Sequence, residues 1–204
     1  MNAIALLRPR FRRMPAPARR FEPATARGMA QEGTCGCDWS VLVPALVALG
    51  PVLHVDCLPA GGSVHLVERA PWPARSELVG LACARRVAAS VALDSDGPRE
   101  CLHFLDDAGT PVTSIWLLPD SDFLAWERLI DSLPGVSASD IDWWQRLPRE
   151  GARGSARVRQ FQRLHLAGCE LIDAVVPTRL SGIGRERARQ IAEAAGARLL
   201  DVRD

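Results

Sequence analysis

The chain has 204 residues, 48% of them apolar, enough for one packed core and far from the composition of a disordered polymer. Its 25 basic and 24 acidic side chains leave a net charge of +1, so no overall field of one sign draws it to nucleic acid or to a membrane surface. No run of eighteen apolar residues is present, and a membrane-spanning helix is not expected.

All the basic residues are Arg, and Tyr is absent; with abundant Ala, Gly and Pro this bias points to a GC-rich bacterial genome more than to a function. The six cysteines, at 35, 37, 57, 83, 101 and 169, include no CxxC pair. Cys35 and Cys37 form a CxC that lacks a matching second pair. Free thiols in a reducing cytoplasm are therefore expected.

Residues 1–33 carry seven arginines against Glu22 and Glu32 and are expected to form a basic flexible tail. Asp38 or Ser40 can cap a helix running to Leu49, with Gly50 at its exit and Pro44 either kinking it or marking its first turn. From Pro51 the pattern changes to short strand-like runs at Val52 to Cys57, Ser63 to Arg69, Leu78 to Cys83 and Val87 to Leu93. Cys101 to Asp106 and Val112 to Leu118 flank Asp107-Ala108-Gly109, whose glycine can reverse the chain into a hairpin.

After Pro119, Asp120 or Ser121 is expected to cap a helix carrying Phe123, Trp126, Ile130 and Leu133 on one stripe, closed by Pro134-Gly135. Residues 135–154 read as a linker, and 155–204 as a helical C-terminal extension with helices at Ser155 to Leu166 and Arg185 to Ala195, closed by Gly168 and Gly196. The expected fold is α+β: a domain at 34–134 built on an antiparallel sheet crossed by helices, followed by that extension.

Three blocks carry a family resemblance. Asp38-Trp39 through Leu46, with Leu49-Gly50-Pro51-Val52, is similar to a repeat opening of Trp, paired leucines and Leu-Gly-x-Val. Cys101 to Val112 resembles an apolar strand ending Phe-Phe-Asp, a glycine turn and a second strand, and Ser121 to Ile130 resembles the helix that closes the same repeat. Together, over residues 38–133, they resemble one repeat of the bacterial haem-utilisation family typified by HemS and ChuX. The resemblance implies a sheet crossed by helices, a cytoplasmic protein, and haem as partner and cofactor, for carriage, storage, delivery or breakdown.

Haem needs an iron ligand, an apolar slot and cations for its propionates. With no Tyr, tyrosinate is ruled out, and His, Cys and Met remain. His65, in a segment similar to the family's Val-His-Glu strand, is the expected metal ligand. His54 and His103 lie in expected strands that could bring two imidazoles together, and His165 is a fourth candidate. Arg85 and Arg86 could clamp a propionate, with Arg69 and Arg99 as further cations. No nucleophile, base and orienter constellation is evident, so whether the protein is an enzyme stays open.

A second signal belongs to another class. Leu180-Ser181-Gly182-Ile183-Gly184 with Arg185 resembles the second half of a helix-hairpin-helix motif, whose glycine turn presents N–H groups to a nucleic-acid phosphate. A fold relative with only an interaction role is a third reading. Strand edges also leave a homodimer open.

Overall fold

The computed structural model describes residues 34–58, 70–94, 97–136 and 154–200, with residues 92–94 described by backbone alone. Nine strands among them form one sheet. These are β1 (Thr34–Gly36), β2 (Pro51–Asp56), β3 (Trp72–Pro73), β4 (Arg86–Asp94), β5 (Gly97–Leu105), β6 (Pro111–Leu117), β7 (Ser155–Leu166), β8 (Cys169–Val175) and β9 (Arg198–Leu200). Their order is β1-β4-β5-β6-β2-β7-β8-β3, with β9 beside β7. Pairing is antiparallel except for β3 with β8 and β7 with β9. Four helices complete the fold: α1 (Trp39–Ala48), α2 (Val79–Cys83), α3 (Phe123–Ser132) and α4 (Gly182–Ala194). The α+β class expected from the sequence is what the structure has.

Side-chain alternation divides the core in two. Val52, Leu102, Phe104, Ile115 and Phe161 point to the face covered by α1, α2 and α3, where they meet Leu42, Leu46, Leu81 and Trp126. Leu53, Val55, Cys101, Trp116 and Val158 point the other way, under Ala188, Ile191 and Ala192 of α4. The hairpin β5–β6 turns at Gly109 (φ 77), as its Asp-Ala-Gly loop predicts. Asp38 caps α1 by accepting from the Ser40 N–H. The cap of α3 is Asp122, not Asp120 or Ser121, because Asp122 is the residue whose carboxylate reaches the Ala125 N–H at 2.9 Å.

Two segments differ from expectation. Leu78 to Cys83 is not a strand: a 3-10 turn at Ser76–Leu78 leads into α2. A short buried apolar run has no period to separate the two states. At Gly80 a Cβ would stand 2.9 Å from the Val112 carbonyl oxygen, so the helix lies against β6 with backbone in close approach. Ser155 to Leu166 is not a helix but β7, whose first half pairs with the whole of β2, from Pro51↔Gln160 to Asp56↔Ser155. Where the first half of this strand is covered on both faces, Val158 and Phe161 are both buried although they project from opposite sides, so clean alternation is lost. The glycine expected to end that helix instead makes the β7–β8 turn, with Ala167 (φ 50) and Gly168 (φ 80) both in the left-handed region that a tight hairpin requires. Residues 154–200 thus supply strands to the same sheet, with α4 as their one described helix, instead of forming a helical extension.

Candidate functional site

His54 and His103 are both completely buried. In β2, His54 points to the face of α1–α3, its Nε2 2.8 Å from Thr113 Oγ1. That hydroxyl donates to the Val55 carbonyl at 3.0 Å, so it accepts from His54, whose proton sits on Nε2. Nδ1 has no partner among the described residues, and Phe161 packs edge-on at 6.3 Å. Burial holds the ring's pKa down to about 4, against an opposing pull from Glu77. His103, in β5, points to the α4 face. Its Nε2 lies 2.9 Å from Ser90 Oγ, its Nδ1 3.0 Å from Ser114 Oγ, and Trp116 stands perpendicular at 5.7 Å. Burial lowers its pKa to about 3.

The register shows why these imidazoles do not meet. His54 faces Ile115 across β2–β6, whereas His103 faces Ser114 across β5–β6. Ile115 and Ser114 are neighbours on one strand, so their partners project from opposite faces of the sheet. The pairing of imidazoles that the sequence left open is not realised. His65, the expected metal ligand, and Arg69 lie outside the described residues.

Arg85 and Arg86 do not form a joint clamp. Arg85, just before β4, pairs with Asp107 at 3.4 Å, while Arg86 is held within the sheet between Gly36 and Leu105. Neighbours in extended chain point to opposite sides. Arg99 is half-buried in β5.

A polar cluster that no sequence motif signalled lies on the α1–α3 face. Glu77 receives Arg159 Nε at 2.7 Å and Arg157 Nε at 3.4 Å, from side chains only 7% and 21% exposed. Burial pushes the Glu77 carboxyl upward, but the Arg159 hydrogen bond and the charges of both arginines outweigh it and hold the pKa below its ordinary value. The cluster ties β7 to the 3-10 turn before α2.

The glycine turn at α4 is already filled. Asp120 accepts from the Ser181 N–H and from Ser181 Oγ, each at 2.9 Å, while Ser181 Oγ accepts from the Gly184 N–H. Gly184 is required there, because a Cβ would fall 1.9 Å from Asp120 Oδ2. Arg185 turns back to the Leu180 carbonyl at 2.7 Å. A carboxylate thus stands where the expected phosphate contact would form, and the electrostatics oppose a second anion. Gly184, with Ser181, seats α4 on Asp120 in the loop before α3.

Among the described residues, no group of three or more His, Cys, Asp or Glu is placed to hold a metal ion. Cys35 and Cys37 are half-buried, and burial raises both thiols, Cys37 to about 12.

One cleft of about 420 Å³ opens beside α1 on its own face of the sheet. Trp39 and Pro44 of α1, Ala70 and Pro71 before β3, and Arg163 and Glu170 from the β7–β8 hairpin line it. Trp39 stacks on Phe104 at 5.8 Å and 7°, leaving its indole N–H buried without a partner among the described residues. Arg163 and Glu170 stand 3.7 Å apart, both about half exposed. The volume is in the range of small-molecule sites, roughly 300–1,000 Å³. The described lining is an apolar wall on the α1 side with a paired guanidinium and carboxylate at the hairpin edge. None of the described lining residues is a His, Cys or Met. His165 lies one step beyond, directly across from Glu170.

No helix among the described residues is long and apolar enough to cross a membrane. No family model matches the chain, and no curated protein matches it. Among solved structures, holo-PhuS, a heme-binding protein from Pseudomonas aeruginosa, matches with 23% identity and a TM-score of 0.34. Its apo form matches with 20% identity and a TM-score of 0.29. Each match covers 50% of this chain and 34% of the other, so the matched part spans about a third of that protein's length. The likeness is a distant one of fold.

Proposed function

We propose that the protein binds haem in the cleft beside α1 and serves haem utilisation in the cytoplasm, by carriage, storage or delivery to breakdown. The observation that carries this reading is the cleft itself: aromatic and apolar on the α1 side, bordered by the paired Arg163 and Glu170 on the hairpin side, and with a volume in the range of small-molecule sites. The sequence resemblance over residues 38–133 supports it independently of the geometry.

In this reading Trp39 and Pro44 shield one side of the macrocycle from water. Arg163 would meet a propionate by exchanging Glu170 for it; Arg85, on the α1 face, would be the sequence-expected cation for another, whereas Arg86 projects from the opposite face. His65 remains the iron ligand expected from sequence. The bound group would supply the iron and any oxygen chemistry, while the chain contributes orientation, an imidazole and the exclusion of solvent.

Titrating the purified protein with haemin tests the reading. A saturable Soret shift at one equivalent is expected, weakened by Trp39→Ala. Absorbance that rises without saturation, as for haemin in buffer with a generic carrier protein, refutes it.

A further inference from the structure

The β7–β8 hairpin carries a second surface, on the side away from the cleft. Residues alternate along β7, so Arg163 and His165 project on the α1 side while Leu164 and Leu166 project on the α4 side. Leu164 pairs with Leu171 across the hairpin, and Leu171 pairs with Trp72 of β3, which sets these three side chains in one row across three strands. Leu166, two positions along, faces Cys169. The apolar contacts of α4 on this face reach β7 only at Ala156 and Val158, and Trp72, Leu164 and Leu166 all stay exposed. Together they leave roughly 300 Å² of apolar surface in one patch, the scale at which a patch on a monomer marks a contact site.

The edge of β7 beside this patch is open as well. β2 occupies it up to the Pro51↔Gln160 pair, and β8 and β9 lie along the other edge. Among the described residues no strand continues past Gln160, so Phe161 to Leu166 present a bare edge until the chain turns at Ala167 and Gly168. A bare edge beside an apolar patch is a template for another strand, and proteins that keep such an edge unpaired blunt it or cover it.

We infer that a second copy of this chain fills the edge, β7 pairing antiparallel with β7 of the partner about a two-fold axis at Leu164. An axis perpendicular to the sheet keeps every residue on its own face, so facing residues are an even number of positions apart and one residue meets its own copy. An axis at Arg163 would set two guanidiniums opposite each other, which is destabilising. At Leu164 it sets leucine on leucine and joins the two patches into one apolar row of Trp72, Leu171 and Leu164 from each copy. The length of the slot agrees: Leu166 then faces Gln162, and the hairpin turns just short of Gln160, where β2 of the partner begins. Every residue from Arg163 to Glu170 is exposed, so the hairpins add surface towards the roughly 800 Å² per partner that a stable interface buries. On the other face His165 of each copy comes opposite Arg163 of its partner, so each copy adds an imidazole at the rim of the other's cleft. The pairing stands independently of what that cleft binds.

Sedimentation equilibrium of the full chain is expected to give twice the 22.2 kDa chain mass, falling towards the single mass on dilution. Leu164→Arg places two cations on the axis and is expected to weaken the dimer by roughly tenfold or more, with unchanged far-UV circular dichroism. Leu124→Arg, at a still more exposed leucine on α3, leaves the mass alone. Cross-linking reads the register. In a Cys169→Ser background, Leu164→Cys sets two thiols on directly opposed residues whose Cα atoms stand about 4.5–5.5 Å apart, within disulfide reach, so a mild oxidant couples two chains, and Arg163→Cys does not. A monomer at every concentration overturns the inference, and so does a dimer indifferent to Leu164→Arg or one cross-linked more readily through Arg163→Cys. A monomer that binds phosphatidylcholine–phosphatidylglycerol vesicles, and loses that binding on Leu166→Arg, assigns the face to a membrane surface and overturns it equally.

Discussion

The contact between Gly184 and Asp120 offers the sharpest test of how α4 is held. Replacing Gly184 by Ala places a methyl group 1.9 Å from Asp120 Oδ2 and 3.1 Å from Leu180 Cδ1. Leu180 can swing its branch away, but Asp120 cannot move without giving up the two 2.9 Å hydrogen bonds that fix it to Ser181. At about 1 kcal/mol each for partly solvated bonds, that loss is roughly 2 kcal/mol. The helix gains up to about 1 kcal/mol from replacing Gly by Ala, so a net destabilisation of about 1–2 kcal/mol is expected. Gly182 is the internal control: a Cβ there meets nothing nearer than Arg185 Nη2 at 4.0 Å, and Gly182→Ala is expected to be neutral or stabilising.

Urea unfolding distinguishes the two. With a slope of about 2 kcal/mol/M, Gly184→Ala lowers the midpoint by roughly 0.5–1 M, and Gly182→Ala leaves it in place or raises it. Asp120→Ala costs a similar amount alone and removes the clash, so adding Gly184→Ala to it should cost little more, a coupling of about 1–2 kcal/mol. Equal effects of the two glycine substitutions, or strict additivity with Asp120→Ala, would refute the argument. The motif would then be open to a phosphate after all.

The buried histidines predict acid sensitivity. Their folded pKa values, about 4 and about 3, lie below the ordinary 6.5, so on acidification the unfolded chain takes up protons first. Stability is therefore full above about pH 6.5 and falls as pH drops towards these folded values, by roughly 1.4 kcal/mol per pH unit for each ring. Urea midpoints measured between pH 7 and 5 check the slope, and His103→Gln should remove about half of it. Glu77→Gln, which takes the carboxylate from the Arg159 guanidinium, is expected to cost about 2–3 kcal/mol in the same assay. Arg157→Ala, at the longer and more exposed contact, should cost less than about 1 kcal/mol.

Signals that act over a few residues were legible in the sequence. The hairpin around Gly109, the Asp38 cap and the glycine exits at Gly50 and Gly196 each follow from local backbone chemistry, and each is where it was expected. Elements defined by what covers them were not. β7 lost its alternation because β2 and both core layers enclose its first half. Its turn glycine, Gly168, is indistinguishable in sequence from a helix terminator. The polar cluster joins Glu77 to Arg159 across 82 positions, and the cleft joins Trp39 to Arg163 and Glu170. No spacing along the chain encodes such meetings. His54 and His103 could be placed on strands from their neighbours, but their opposite directions depend on both being registered against β6, which only the assembled sheet defines.

The distribution of burial along β7 bears on where ligand chemistry can reside. From Ala156 to Arg159 the strand lies between the two helix layers, and its polar groups there, Arg157 and Arg159, are committed to Glu77. From Arg163 onward every residue of the strand is exposed. Leu164 and Leu166 keep 38% and 67% of their surface, and Trp72, at the edge of the sheet beyond β8, keeps 66%. The centre of the sheet has therefore spent its imidazoles and hydroxyls on holding itself together, at the cost of neutral, sealed side chains that cannot reach an incoming molecule. The projecting hairpin carries an imidazole, a guanidinium and a carboxylate on one face that no helix covers.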